Sequence, residues 1–178
     1  MLEHPERIAF VVEGDADRDV AETLAKRVWA ALPERFHTVR LGGRAAIPWL
    51  WNTVLTLLEE KDYEHVVVLL DADTIDGDEA YRRVAELEAE LSKRQIAKES
   101  VSILLAVPEL EAWLLAETEE NPEVLDAKQR LQQRMPKHQG KVSPNTLANL
   151  ARTLNLPRAR ERSPSLNSFL AVLESLHP

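Results

Sequence analysis

Residues 8–14, with the sequence Ile-Ala-Phe-Val-Val-Glu-Gly, join a short apolar run to a carboxylate. Residues 66–73 repeat this arrangement, since Val-Val-Val-Leu-Leu runs into Asp71-Ala72-Asp73. A third apolar run, at residues 101–107, leads into Pro108-Glu109-Leu110-Glu111. Short runs of this kind, bounded by turn or helix signals, are typical of strands buried on both faces of a parallel sheet.

Segments with helical spacing separate the predicted strands. Apolar residues recur every three or four positions at residues 20–32, 47–61 and 84–91, and a further helix is predicted at residues 109–118. With a short fourth strand at residues 37–41, the alternation predicts a small, mostly parallel, four-stranded sheet with helices on both faces. We expect this Rossmann-like α/β domain to cover residues 1–120.

The remainder of the chain, residues 121–178, shows no strand pattern. Three helices are predicted, at about residues 123–135, 144–154 and 164–176, and the last two follow Ser-Pro pairs that suit a helix start. Residues 126–178 carry a net charge of +6, whereas residues 1–125 carry −14. We expect a basic helical extension packed on the α/β domain, which either binds an anion or simply attracts the acidic part.

The composition excludes several functional classes. The chain has 178 residues, is 44% hydrophobic and 29% charged, and contains no cysteine, which excludes disulfides, thiol nucleophiles and cysteine zinc sites. No apolar stretch approaches the roughly 20 residues that cross a bilayer. Residues 1–7 lack the basic and apolar pattern of an export signal. We therefore expect a cytoplasmic protein without a membrane partner.

The acidic residues after the predicted strands indicate a metal site. The carboxyl ends of parallel strands lie at one edge of the sheet, where function collects. Converging carboxylates repel one another unless a cation lies between them, and a hard divalent ion does this best. If the second strand lies outside the first, Glu13, Asp71 and Asp73 should converge on one ion. Asp71 and Asp73 would point to one side of an extended strand end. The expected cofactor is Mg²⁺, with Mn²⁺ as an alternative.

These motifs also resemble a known family. Glu13-Gly14-Asp15-Ala16-Asp17 followed by Asp71-Ala72-Asp73 is similar to the TOPRIM domain of topoisomerases, bacterial primases, recombination mediators and overcoming-lysogenization-defect nucleases. Residues 108–116, together with Ser163-Pro164-Ser165-Leu166 and Phe169, are closer to a bacterial TOPRIM-like family of unknown function, whose members often lie near defence-system genes.

The resemblance implies a role for each acidic residue. Glu13 would be the general acid or base in phosphodiester chemistry, and Asp71 and Asp73 would hold magnesium. Glu111 is favoured over Glu109 as a further ligand, because it precedes Ala-Trp-Leu as the acid does in related nucleases. The implied function is nuclease-like, on DNA in preference to RNA. A partner ATPase or another defence-system protein is also implied, and a homodimer is compatible with the resemblance.

Contacts with phosphate are expected from Gly14, Asp17, Lys137 and Lys141. Asp17 is equally well placed to cap the first helix. The catalytic nucleases of the superfamily add a lysine near the metals, and no lysine lies in or beside the three motifs here. Lys137 and Lys141 could serve only if the basic loop that contains them folds back.

Other interpretations remain open. Asp71-Ala72-Asp73-Thr74 also fits haloacid-dehalogenase-type phosphatases, although that family usually starts with the motif. A nucleotide-sugar transferase would explain Asp71 and Asp73 but not Glu13. A non-catalytic module that binds metal or nucleotide, or regulates a partner, is the main alternative to the enzyme. The four tryptophans, Trp29, Trp49, Trp51 and Trp113, are expected to be packing groups.

Overall fold

A parallel sheet lies at the centre of the fold. The computed structural model describes residues 5–135 and 143–176, with the backbone alone for residues 44–46. Within these residues the sheet has four strands, β1 (Arg7–Val12), β2 (Arg35–Arg40), β3 (His65–Asp71) and β4 (Val101–Ala106). Their order is β2-β1-β3-β4, and all neighbouring pairs are parallel. The predicted Rossmann-like α/β fold is confirmed, including the position of the second strand outside the first.

Helices follow the strands and then continue alone. They are α1 (Asp15–Trp29), α2 (Leu50–Leu55), α3 (Gly77–Lys93), α4 (Glu111–Leu115), α5 (Ala127–Arg134), α6 (Pro144–Thr153), α7 (Leu156–Arg162) and α8 (Pro164–Ser175). A 3-10 helix (Arg44–Trp49) leads into α2, a π-helical segment (Thr56–Glu60) continues it, and a 3-10 turn (Lys98–Ser100) precedes β4. None of the described helices is both long enough and apolar enough to cross a membrane.

Alternate side chains of β1 enter two separate apolar layers. Phe10 and Val12 belong to the layer that contains α1 and the helices from α4 to α8, which we call the α1 face. Ala9 and Val11 belong to the layer that contains α2 and α3, the α2 face. All four side chains are at most 1% exposed. Residues 8–12 of β1 and 66–70 of β3 are all apolar because both faces of these central strands are covered.

Side-chain caps explain where the C-terminal helices begin. Ser143 Oγ and Ser163 Oγ each accept a backbone hydrogen bond of 3.2 Å from the residue three positions later, and a proline follows each serine. The predicted helices α6 and α8 are therefore present. α7 was not predicted, although Asn155 Oδ1 caps it by accepting from the Arg158 N–H at 3.1 Å. This helix is too short to show a clear period, and α4 is shorter than predicted for residues 109–118.

Two side chains of α1 tie the C-terminal helices to the sheet. Arg27 Nη1 donates to the carbonyls of Ala151 and Leu154 at 2.8 and 2.7 Å, and so satisfies groups that the end of α6 leaves without helical partners. Trp29 Nε1 donates to the Leu173 carbonyl of α8 at 2.7 Å. The C-terminal helices thus pack on the α1 face.

A buried polar network fixes α4 against the first turn of α8. Trp113 Nε1 and the Val107 N–H donate to Ser165 Oγ at 2.8 and 3.2 Å, and this hydroxyl donates to Glu123 Oε1 at 2.7 Å. The Trp113 ring stacks on Phe169 with centroids 5.1 Å apart. Ser163, Ser165 and Phe169 thus have packing and hydrogen-bonding roles.

His65 at the start of β3 should make stability sensitive to acid. It is 8% exposed, and its Nε2 lies 2.9 Å from Ser102 Oγ. Burial lowers its pKa from 6.5 to about 4. As the pH falls, the unfolded chain therefore takes up a proton on His65 before the folded protein does. The stability that neutral His65 contributes is complete above about pH 6.5 and is lost as the pH falls through 4. In urea unfolding at pH 7 and pH 4, His65→Gln should lose less stability than the parent, by on the order of 3 kcal/mol. An identical pH dependence in both proteins would contradict this prediction.

Candidate metal centre

The pairing of β1 with β3 brings two of the predicted site residues together. The register pairs Val12 with Leu69, so that the residue after β1 lies beside the end of β3. Glu13 Oε1 accepts a hydrogen bond of 3.1 Å from the backbone N–H of Asp71. Glu13 is 9% exposed, which makes it one of the few charged residues in the interior.

Asp71 lies at the centre of a group of carboxylates. Its Oδ1 accepts a hydrogen bond of 3.1 Å from the Leu110 N–H at the start of α4. Burial, together with the charges of Asp17, Glu13 and Glu111, raises the pKa of Asp71 from 3.8 to about 8. We call Glu13, Asp17, Asp71 and Glu111 the acidic cluster. At neutral pH this environment favours a proton or a cation beside Asp71.

Asp17 caps the first helix and belongs to the acidic cluster. Its Oδ2 accepts the Gly14 N–H at 2.8 Å, which caps the start of α1. Burial raises its pKa to about 6 despite that bond, and the charges of Glu111 and Glu13 add to the effect. Because the Gly14 amide donates to Asp17, that amide does not point to a phosphate in this structure. Gly14 instead contributes backbone to a cavity beside Glu13.

The two glutamates at the start of α4, Glu109 and Glu111, have different surroundings. Glu111, the first residue of α4, has a side chain only 12% exposed, and its charge raises the pKa of both Asp71 and Asp17. Glu109 Oε1 instead accepts the backbone N–H of Lys128 at 2.8 Å. Burial raises the pKa of Glu109, and the charge of Glu111 adds to this. Glu111 therefore belongs to the acidic cluster, and Glu109 lies at its edge.

Asp73 does not take the position expected from the sequence. β3 ends at Asp71, and Asp73 has a left-handed backbone with φ of 57°. The alternation of an extended strand therefore no longer applies, and the expectation that Asp71 and Asp73 share one side on that ground is wrong. Asp73 Oδ2 lies 3.5 Å from Arg83 Nη1, which also donates to the Asp71 carbonyl at 2.7 Å. Arg83 fixes the turn that carries Asp73 away from the strand.

A lysine that sequence reasoning did not place near the acids approaches them from α5. Lys128 Nζ lies 3.6 Å from Glu111 Oε1, and the Lys128 side chain is 68% exposed. The positive charge of Lys128 lowers the pKa of Asp17, whereas burial and the charges of Glu111 and Glu13 raise it. The contact joins residues 17 positions apart in different helices, so no local spacing could have indicated it. Lys137 and Lys141, the lysines that were predicted for this role, lie outside the described residues.

Several arginines of the basic extension have partners inside the fold. Arg130 and Arg134 contact the largely buried carboxylate of Glu119 at 3.1 and 2.8 Å. Arg160 pairs with Glu174 at 2.7 Å. Within the described residues, the contacts with Glu119 therefore attract the basic part of the chain to the acidic part, whereas the Arg160–Glu174 pair lies within the extension.

A cavity of about 480 Å³ opens beside Glu13 at the carboxyl end of the sheet. The amides of Gly42 and Gly43 donate to the Glu13 carbonyl at 3.0 and 2.9 Å, which holds the loop after β2 against it. Arg40 Nη1 pairs with Asp15 Oδ1 at 2.6 Å on the cavity wall. The cavity gives a ligand access to one side of the acidic cluster.

The cluster has the ligand chemistry of a magnesium site without a preformed ligand set. Carboxylate oxygens are the ligands that Mg²⁺ prefers, and two or three suffice because the ion keeps several waters. Among the described residues, Glu13 Oε2 and Asp71 Oδ2 receive no hydrogen bond. Across residues 5–135 and 143–176, no three acidic or histidine side chains are already arranged to hold one ion. Binding would therefore require side-chain rotation within the cluster.

Comparison with protein families places the site in a known sequence family. The model of a domain of unknown function (DUF4276) matches residues 12–149. The chain belongs to this family. The part that matches DUF4276 contains the whole acidic cluster and Lys128, and it ends within α6, before α7 and α8. Neither the curated proteins nor the solved structures gave a match to the chain.

Removal of the Asp71 charge should stabilise the metal-free protein at alkaline pH. Because the pKa of Asp71 is raised to about 8, the protonated group stabilises the fold below about pH 4, and this contribution is lost as the pH rises through 8. In EDTA at pH 8, Asp71→Asn should be more stable than the parent by roughly 1–3 kcal/mol in urea unfolding, with a smaller difference at pH 5. Glu86→Gln, at an exposed position of α3, is the control and should change little. A less stable Asp71→Asn protein at pH 8 would contradict the prediction.

Proposed function

We propose that this protein carries out magnesium-dependent phosphodiester chemistry on nucleic acid, as a nuclease-like enzyme related to TOPRIM domains. The observation that carries the proposal is the meeting of Glu13 from the end of β1, Asp71 from β3 and Glu111 from α4. Their charges contribute to the raised pKa of Asp71, and a hard divalent cation would relieve this repulsion. We propose DNA as the substrate in preference to RNA.

Asp71 and Glu111 are the residues that would hold the ion, with Asp17 as a neighbouring oxygen ligand. When bound, Mg²⁺ or Mn²⁺ screens the phosphate charge and stabilises the departing oxygen. Leu110 holds Asp71 through its backbone N–H, which fixes one carboxylate oxygen and leaves the other available. The first turn of α4 therefore controls both proposed ligands, because it also carries Glu111.

Glu13 is the proposed general acid or base. Glu13 is one of the residues that line the cavity at the carboxyl end of the sheet, and the Asp71 N–H holds one of its carboxylate oxygens. A phosphodiester in this cavity would lie beside the other oxygen. Glu13 can then take a proton from an attacking water or give one to the leaving oxygen, provided that it comes within about 2.6–3.2 Å of that group.

Lys128 is the proposed source of positive charge near the scissile phosphate. Its ammonium group is largely exposed while it contacts Glu111, and exposed ion pairs of this kind are weak. The side chain can therefore leave Glu111 and contact a phosphate without a large loss of stability. In this proposal, Lys128 of α5 corresponds to the lysine that the catalytic nucleases of the superfamily carry near their metals.

A non-catalytic module that binds metal or nucleotide is the second candidate, and the position of Asp73 favours it. Asp73 Oδ2 lies beside Arg83, and the left-handed turn takes it out of the strand that carries Asp71. The resemblance assigns both Asp71 and Asp73 to magnesium, but Asp73 does not lie where an extended strand would place it. Such a module would act with a partner protein, for example an ATPase of a defence system. Metal binding without strand cleavage would favour this candidate.

Magnesium or manganese should raise the thermal midpoint of the protein. A cation relieves repulsion within the acidic cluster and binds the folded chain alone, so saturating metal should add about 1–3 kcal/mol to the free energy of unfolding. The measurement is a thermal melt in EDTA, in millimolar Mg²⁺ and in millimolar Mn²⁺. Asp71→Asn should lose most of the shift, whereas Glu86→Gln should keep it. An unchanged midpoint of the parent in both metals would refute a metal role.

Purified protein should nick plasmid DNA in Mg²⁺ or Mn²⁺, and Glu13→Gln should be about 10²- to 10⁴-fold slower, the usual range for loss of an acid–base group. The glutamine keeps an oxygen for the Asp71 N–H, so its thermal shift in metal should largely remain. Asp73→Asn should cost less activity than Asp71→Asn, and Glu86→Gln should match the parent. Equal rates for Glu13→Gln and the parent would exclude the proposed role of Glu13. Metal binding without nicking of single- or double-stranded DNA would favour the second candidate.

A further inference from the structure

A groove of about 500 Å³ lies between the edge strand β2 and the helix formed by α2 and its π-helical continuation. It is separate from the cavity beside Glu13 and lies on the α2 face. Three aromatic side chains line it, His37, Trp49 and Tyr63, together with the polar side chains of Asn52, Thr53 and Lys61. Its volume is within the usual range of small-molecule sites.

We propose that this groove binds an unpaired nucleobase of a single-stranded nucleic acid. Sequence-tolerant proteins bind single strands by stacking bases on aromatic side chains and by contacting the backbone with basic ones. The groove has both kinds of residue, since Trp49 and Tyr63 offer ring surfaces and Lys61 offers a cation for a phosphate. Asn52 has an amide that can both donate to and accept from a base edge.

The exposure of Trp49 is the observation that sets this groove apart. Trp49 is 64% exposed, whereas Trp29, Trp51 and Trp113 are 4%, 5% and 0% exposed. The expectation that all four are packing groups is therefore wrong for Trp49. A tryptophan left in water beside a groove is a common mark of a ligand or partner surface.

The groove also leads to the cavity beside Glu13. His37 and Val39 of β2 line the groove, and Arg40, the next residue, lines the cavity with Gly42 and Gly43. Val39 and Gly42 are three positions apart, which is about 10 Å of extended chain. A strand with its phosphate near Glu13 could thus place a nearby base in the groove. In this respect the inference rests on the proposed function and names its substrate as single-stranded.

The charges on β2 argue against a second copy of the chain as the occupant. Two copies that paired symmetrically along the whole of β2 would run antiparallel and would set Arg35 of one against Arg40 of the other. Like charges directly opposite one another destabilise strand pairing. Both arginines, and Lys61 in the groove, suit a polyanion better.

Tryptophan fluorescence provides a direct test because only Trp49 is exposed among the four tryptophans, all of which are described. The protein is titrated in EDTA with ten-nucleotide oligo(dT), oligo(U) and a blunt duplex. The single strands should quench the emission and the duplex should not. Trp49→Ala should weaken binding of the single strand roughly 5- to 150-fold, measured by anisotropy of a labelled oligonucleotide. Trp49→Phe should restore much of it, because phenylalanine keeps an aromatic face.

Two further variants sharpen the test. Tyr81→Ala removes an aromatic side chain that is 76% exposed on α3, away from the groove, and should bind like the parent. Lys61→Ala should flatten the log–log salt dependence by about 0.7, the value for one phosphate contact of a single strand. Circular dichroism melts check that each variant folds.

Absence of quenching by both single strands would overturn the inference, as would equal quenching by the duplex or equal losses in Trp49→Ala and Tyr81→Ala. Dimer formation that depends on Trp49 in sedimentation runs would overturn it in favour of a protein interface. Because the titrations contain no metal, they can succeed where plasmid nicking fails. Conversely, nicking by the parent protein without any quenching by the single strands would leave the proposed function intact and exclude the groove.

Discussion

The acidic cluster depends on backbone N–H groups that oppose its own electrostatic repulsion. Glu13, Asp17 and Asp71 each receive one such hydrogen bond, at 3.1, 2.8 and 3.1 Å. The donors belong to the end of β3, the start of α1 and the start of α4, so the cluster also joins three segments of the chain. Hydrogen bonds favour the charged carboxylate while burial and like charges disfavour it. For Asp71 and Asp17 the second influence is larger, since both pKa values are raised.

Support for this arrangement comes from the helices behind it. Trp113 lies two residues after Glu111 and is completely buried, and its indole N–H is held by Ser165 at the start of α8. The position of Glu111 therefore depends on packing contributed by the end of the chain. Disturbance of α8 would change the acidic cluster although no residue of α8 belongs to it. The C-terminal helices thus help to position the acidic cluster, independently of any direct contact with a ligand.

The sequence was sufficient to predict the sheet because its central strands, β1 and β3, are buried on both faces. Continuous apolar runs mark β1, β3 and β4, and the acidic residues mark their carboxyl ends. These same features correctly placed Glu13 beside Asp71. Lys128 could not be found in this way, since its contact with Glu111 arises only when α5 packs on α4. The prediction that Trp49 is a packing group was wrong for a similar reason. Its spacing suits a buried position, but its exposure depends on β2 being the edge strand of the sheet.

Asp73 suits its position through its backbone conformation as much as through its carboxylate. A φ of 57° is unfavourable for most side chains, but aspartate, asparagine and glycine tolerate it. The Asp73 N–H donates to the Pro108 carbonyl at 2.7 Å, so this left-handed turn also joins the loop after β3 to the one after β4. A relative with glycine or asparagine here could keep the same loop geometry. A motif search that requires Asp-x-Asp would reject such a relative, although its acidic cluster could be complete.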